Sequence, residues 1–123
     1  IVAHARTLAA AHGASVERFT DAGRAVQGAA AIYTDTWHSM GDAEDEREQR
    51  SGVLSPFQVD AARMARAEPT AVFLHCLPAH RGEEVTDEVA DSPASLIFDQ
   101  AENRLHTSMA VLEAVARGTL TAD

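Results

Sequence analysis

The sequence predicts an α/β fold: a parallel sheet of about four strands with helices on both faces, incomplete at its N-terminus. Three observations carry this. Short apolar runs, Ala29 to Tyr33 and Ala71 to Leu74, alternate with segments that carry helix caps and helical spacing. Such alternation argues for parallel strands joined by helical crossovers. Each apolar run ends in polar residues, at the edge where open parallel sheets place their ligands.

The elements follow in order. The chain opens at Ile1 and reads at once as helix, with Ala5, Leu8, Ala9 and His12 on one face and Gly13 as terminator. It has no start signal before that helix, so it reads as a piece of something longer. Ala14 to Phe19 alternates weakly and is a candidate strand. Asp21 is placed to cap a short helix over Ala22 to Gln27, ended by Gly28. The first clear strand, Ala29 to Tyr33, delivers Thr34, Asp35, Thr36 and Trp37 at its carboxyl end, and Ser39-Met40-Gly41 reads as a turn. From Asp42 to Glu48, six of seven residues are charged, which predicts a solvated helix face or a mobile loop.

Ser55-Pro56-Phe57-Gln58 reads as a helix start, with serine as cap, proline at the first position and Gln58 closing a capping box. Phe57, Ala61 and Met64 would share its buried face. The central strand then runs to Leu74 and stops at His75-Cys76-Leu77, because Pro78 has no N–H for a ladder. Thr86-Asp87-Glu88 starts another short helix, which Ser92-Pro93 ends. Ser95 to Phe98 is the fourth candidate strand. Asp99 and Glu102 would open the last helix, in which Leu105, Met109, Leu112 and Ala116 line one face and Gly118 ends it.

Bulk properties bound the function. The 123 residues suffice for one domain with a real core. Hydrophobic content of 46% and charged content of 24% suit an ordinary globular protein. A formal charge of −9 repels phosphate backbones and anionic lipid, which argues against a nucleic-acid or membrane partner. No apolar run approaches the roughly 20 residues of a membrane span. A lone cysteine forms no internal disulfide and suits a reducing compartment, so a cytoplasmic location is expected.

This expected topology brings three strand ends to one rim: Asp35 with Ser39, His75 with Cys76, and Gln100 with Asn103 and Arg104. Arg104 lies in the first turn of its helix, where a cation opposes the helix dipole. It either pairs with Glu102 or Asp99, or faces an anion drawn to that end. Asp35 is either a turn cap or a carboxylate that holds an ammonium group. Cys76 is either a small buried hydrophobe or a reactive thiol. Tyr33 and Trp37 read as core or rim aromatics. The spacing of His75, Cys76 and His80 matches no common zinc pattern and lacks a fourth ligand, so no metal is expected.

Two segments, Thr34-Asp-Thr-Trp-His-Ser-Met-Gly41 and Leu74-His-Cys-Leu-Pro-Ala-His-Arg-Gly82, resemble the signature segments of the ornithine carbamoyltransferases. Phe98-Asp-Gln-Ala-Glu-Asn-Arg104 resembles a third, and the likeness runs through essentially the whole chain. The resemblance implies a Rossmann-like, C-terminal ornithine-binding domain. It implies transfer of the carbamoyl group of carbamoyl phosphate to the δ-amine of L-ornithine, giving citrulline and phosphate, in arginine metabolism. No metal or organic cofactor is implied.

Carried over by motif, Asp35 would hold the ornithine α-ammonium, and Ser39 and the Met40 N–H would fix its amino-acid head. Cys76 would lie beside the ornithine side chain as the catalytic residue, its thiol or thiolate influencing deprotonation of the amine. The Cys76 and Leu77 carbonyls would orient the carbamoyl NH2, and Arg104 would meet an oxygen of carbamoyl phosphate. The loop from Ser39 through the acidic tract would close over ornithine. The resemblance also implies a homotrimer and an N-terminal carbamoyl-phosphate domain. That domain's Ser-Thr-Arg-Thr and His-Pro-x-Gln segments do not occur here, so this chain alone is expected to be inactive. The last helix would pack against that domain, and alone its apolar face would promote association. A transcarbamylase for another amine such as putrescine, and a catalytically silent amino-acid-binding domain, are the alternatives.

Overall fold

The structure, a computed structural model, describes residues 1–38, 41 and 43–119. Ser39, Met40 and Asp42, and with them most of the expected turn, lie outside the described residues, as do 120–123.

Two parallel strands, β1 (Ala31–Thr34) and β2 (Val72–His75), form the sheet, in the register Ala31 to Val72, Ile32 to Phe73, Tyr33 to Leu74 and Thr34 to His75. The helices in chain order are α1 (Val2–Ala11), α2 (Ala22–Ala25), α3 (Glu44–Leu54), α4 (Ala61–Met64), α5 (Asp87–Ala90) and α6 (Ile97–Ala116). Side chains alternate across a strand, so the register partners Ile32 and Phe73 both turn into the core. Val59, Val85, Val89, Ala90 and Ile97 complete that core, with Val26 and Met64 packed on its margin. None of the described helices is long and apolar enough to cross a membrane.

The mixed α/β class and the parallel sheet are as expected, but among the described residues the sheet has two strands rather than about four. Residues 14–19 pair with no strand among the described residues; the Val16 carbonyl instead accepts from Arg6 Nε at 3.2 Å. The segment expected to be a fourth strand contributes a single bridge, Ser95 to Phe73. There Phe73 donates to the Ala94 carbonyl at 2.8 Å and Leu96 donates to the Phe73 carbonyl at 2.9 Å. The chain then turns into α6 at Ile97, two residues before the expected start at Asp99, because Ile97 is buried in the core as the helix begins.

The helix expected to begin at Ser55 begins at Ala61 instead. Ser55–Phe57 forms a 3₁₀ turn that continues from α3. Gln58 closes no capping box: its side-chain amide donates to the carbonyls of Gly82 (2.8 Å) and Glu83 (2.6 Å). The cap of α4 is Asp60, whose Oδ1 accepts from the Arg63 N–H at 2.8 Å while Oδ2 meets the Arg63 guanidinium, also at 2.8 Å. Replacing Asp60 with alanine should cost about 1 kcal/mol of stability, as N-cap losses typically do. A urea midpoint unchanged from the parent would show that the cap contributes nothing. The acidic tract forms α3, with Glu44, Asp45 and Glu46 in its first turn, where negative charge complements the helix dipole.

Candidate active site

The parallel register explains the site. Thr34 and His75 are the last paired residues of β1 and β2, so the next residue of each strand, Asp35 and Cys76, emerges side by side. The Cys76 thiol donates to Asp35 Oδ1 at 2.9 Å, and the Thr36 N–H donates to the same oxygen at 2.7 Å. These two donors, the thiol first, hold the Asp35 carboxyl below its usual range, against a small opposing effect of burial. The same bond pushes the Cys76 thiol above its usual range, and burial and the Asp35 charge add to it, while a bond from the Tyr33 hydroxyl pulls weakly the other way. At neutral pH the pair is therefore a thiol donating to a carboxylate. The sign follows from the shifts: the bond persists through neutral pH, and is lost only when acid takes Asp35 through its depressed pKa or base takes Cys76 through its raised one.

Helix α6 brings the third group. Gln100 and Arg104 are four residues apart and so share a face of the helix. Gln100 Nε2 donates to the Tyr33 hydroxyl at 3.0 Å, and Arg104 Nη1 donates to the Cys76 carbonyl at 3.2 Å. Tyr33 is thus a rim residue, 55% exposed. A groove of roughly 380 Å³ opens beside this face, lined by Gln100, Asn103, Arg104, Thr107 and Ser108. Leu77 follows Cys76 with φ of 55°, in the left-handed region that non-glycine residues seldom adopt, and its peptide bond to Pro78 is cis. Asp35, Cys76, Leu77 and Arg104 therefore stand together, while Ser39 and Met40 lie outside the described residues.

Other contacts anchor the loop that leaves β1. Thr36 Oγ1 lies 3.0 Å from His80 Nδ1. The buried His38 ring places Nε2 2.9 Å from Ser51 Oγ and 3.2 Å from Glu83 Oε2. A larger hollow of roughly 580 Å³ lies between His38, α3 and Glu83, but neither Asp35 nor Cys76 lines it. Among the described residues, His80, Glu83 and Glu84 are the group whose ligand atoms lie close enough, within 4.8 Å, to hold a metal ion. Each is already engaged: His80 with Thr36, Glu83 with His38, and Glu84 with His75. Glu84 has no signal in the sequence, where it is one acid in a Gly-Glu-Glu run; only the fold buries it against the strand end.

Residues 1–115 match the model of the Asp/Orn binding domain of aspartate/ornithine carbamoyltransferases. The chain belongs to the aspartate/ornithine carbamoyltransferase family. Among its relatives within or beside that family, it is similar to an ornithine carbamoyltransferase of Roseobacter denitrificans, 53% identical over 105 residues, covering 85% of this chain and 34% of the relative. It is likewise similar to one of Thermococcus kodakarensis, 51% identical over 118 residues, covering 96% of this chain and 37% of the relative. The solved structure of an ornithine carbamoyltransferase from Pyrococcus furiosus superposes with a TM-score of 0.84 at 51% identity, over 95% of this chain and 37% of that one. This carbamoyltransferase-family chain spans about a third of the length of the curated relatives it matches. The family expected from the two signature segments is the one found.

Proposed function

We propose that this chain is the ornithine-binding part of an ornithine carbamoyltransferase, which transfers the carbamoyl group of carbamoyl phosphate to the δ-amine of L-ornithine. The observation that supports it most directly is the convergence of a carboxylate, a thiol and a guanidinium on one rim, Asp35, Cys76 and Arg104, in a chain of this family. In the reaction the neutral δ-amine attacks the carbonyl carbon, a C–N bond forms, a C–O bond to phosphate breaks, and the amine loses a proton. Nothing in this needs a redox or organic cofactor. The protein's contribution is positioning and stabilisation of developing charge.

Asp35 suits the α-ammonium of ornithine, because its depressed pKa keeps it negative at any pH where ornithine is used. Ser39 and the Met40 N–H would fix the amino-acid head. Cys76 enters the reaction as a thiol. An incoming ammonium at Asp35 competes for the carboxylate and offsets its charge, so the push on Cys76 relaxes as ornithine arrives. The Cys76 and Leu77 carbonyls would receive the carbamoyl NH2. Arg104, now spanning to the Cys76 carbonyl, would turn to an oxygen of carbamoyl phosphate.

The proposal extends to the rest of the enzyme: an N-terminal domain that cradles the phosphate, a trimeric assembly and a cytoplasmic location. The face of α6 that carries Leu105, Met109 and Leu112, which are 59%, 58% and 68% exposed, would be covered by that domain. The test is citrulline formation by the full-length protein from carbamoyl phosphate, with ornithine and putrescine compared as acceptors. Turnover with ornithine alone supports the reading. Preference for putrescine replaces it with another transcarbamylase. Ornithine binding by calorimetry without turnover of either amine leaves a silent binding domain.

A further inference from the structure

The peptide group between Cys76 and Leu77 has two ends, and the proposed chemistry uses only one. Its carbonyl faces Arg104 on the rim. Its N–H, the Leu77 N–H, donates in the other direction to His75 Nδ1 at 2.8 Å. A ring nitrogen that accepts an N–H carries no proton of its own, so the His75 proton sits on Nε2. Nε2 lies 3.1 Å from Glu84 Oε1 and donates to it. The same oxygen accepts the His80 N–H at 2.6 Å. His75 and Glu84 are both fully buried, and Glu84 Oε2 has no hydrogen-bond partner among the described residues.

We propose that Glu84 is a positioning residue for carbamoyl transfer, acting through His75 on the Cys76–Leu77 peptide. The inference rests on the function proposed above and adds to it a residue that touches neither substrate. A peptide group is planar, with its N–H and C=O pointing in opposite directions. Fixing the Leu77 N–H from inside the core therefore fixes the direction of the Cys76 carbonyl outside it. Without that anchor the plane would be free to rock, because Leu77 sits in a left-handed conformation that costs about 1–2 kcal/mol for a residue with a Cβ. Glu84 sets the chain of bonds by selecting the tautomer. Take away its acceptor oxygen and the His75 proton gains no bond by staying on Nε2; once on Nδ1, it meets the Leu77 N–H head-on. Glu84 thereby holds two points of the 75–84 loop at once, Leu77 through the ring and His80 directly. The Asp35 carboxylate takes its hydrogen bonds from the Cys76 thiol and the Thr36 N–H, neither of which bonds to His75 or Glu84, so ornithine recognition should be largely spared.

Two variants of the full-length enzyme test this. Glu84→Met keeps the bulk and removes the acceptor; Glu84→Gln keeps an oxygen acceptor. The expected result is a fall in kcat of about 10-fold to 100-fold for the methionine variant, the range that loss of a supporting contact commonly produces. KM for ornithine should stay within about threefold, and glutamine should recover much of the rate. Nitrogen-15 NMR of labelled His75 in the wild-type enzyme should place its proton on Nε2, and this holds whether or not the methionine variant folds. A proton on Nδ1 in the wild type overturns the proposal. So does a methionine variant within twofold of wild-type kcat, or a loss confined to KM. Absence of citrulline from the wild-type enzyme would instead overturn the proposed function, and the NMR result would still report on the clamp.

Discussion

Replacing Asp35 with asparagine should lower kcat/KM for ornithine in the full-length protein on the order of 100-fold, the scale of removing one partner from a charge pair that a ligand completes. It should also make Cys76 more reactive. In the parent the Asp35 carboxylate accepts the thiol proton and adds a negative charge beside it, and both raise the thiol pKa. An asparagine side chain removes the charge and weakens the acceptor, so the Cys76 pKa must fall. The thiolate is the species that reacts with iodoacetamide. The pH profile of Cys76 alkylation, followed by mass spectrometry on its peptide in the ligand-free protein, should therefore move to lower pH in the variant. Ornithine added to the parent should move it the same way, since the ammonium takes over the carboxylate. The two readouts separate two ideas. An unmoved alkylation profile would mean that Asp35 does not control the thiol. A moved profile with normal ornithine saturation would mean that it controls the thiol but does not hold the substrate.

Phe73→Ala should be the most damaging single truncation in the core, costing about 3–5 kcal/mol, as loss of a buried phenylalanine typically does. Domains of this kind have only about 5–15 kcal/mol in total. Phe73 is wholly buried at the middle of β2, beside its partner Ile32 on one strand and bridged to Ser95 on the other side. It belongs to a buried cluster with Ile32, Val59, Val85, Val89, Ala90 and Ile97, drawn from β1, α5, the start of α6 and the intervening loops, so its loss opens a cavity at the centre of the core. Its neighbour Leu74 is the control. It faces the other side of the sheet and is only half-buried, so Leu74→Ala should cost well under half as much. Urea unfolding of the full-length protein, followed by a probe local to this domain, gives both numbers. Equal costs would contradict the alternation on which the site's geometry depends, because the same alternation buries His75 behind the rim and leaves Cys76 in front.

Several features of the site were legible before any coordinates. The strands Ala31–Thr34 and Val72–His75 overlap the expected apolar runs Ala29 to Tyr33 and Ala71 to Leu74, each ending one residue later. The prediction that polar residues after each strand meet on a rim needed only parallel pairing, and the register supplies it. Arg104 and Gln100 were marked as residues following the last expected strand; the first-turn placement expected for Arg104 does not hold, because α6 starts at Ile97 and Arg104 is its eighth residue. Other features were not legible. Ser55-Pro56 carries every local sign of a helix start, yet the chain there extends α3 and the next helix waits for Asp60. The reason is distant: Gln58, which would have closed the capping box, is drawn to the carbonyls of Gly82 and Glu83. Ser95 to Phe98 has strand composition, but Ile97 reaches the core as the first residue of a helix.

By itself, the sequence determined where the two paired strands lie, which polar residues follow them, and which family the signature segments belong to. These depend on periodicity and on residues adjacent in the chain. Only the tertiary structure decided that Cys76 is held as a thiol, that His75 has one tautomer, and that Glu84 lies behind the rim rather than in solvent. Each of these depends on a partner that is distant in the chain or hidden by the fold, and on a desolvation that exists only once the core has closed. A protonation state is set by what surrounds the group in space, and spacing along the chain carries no record of it.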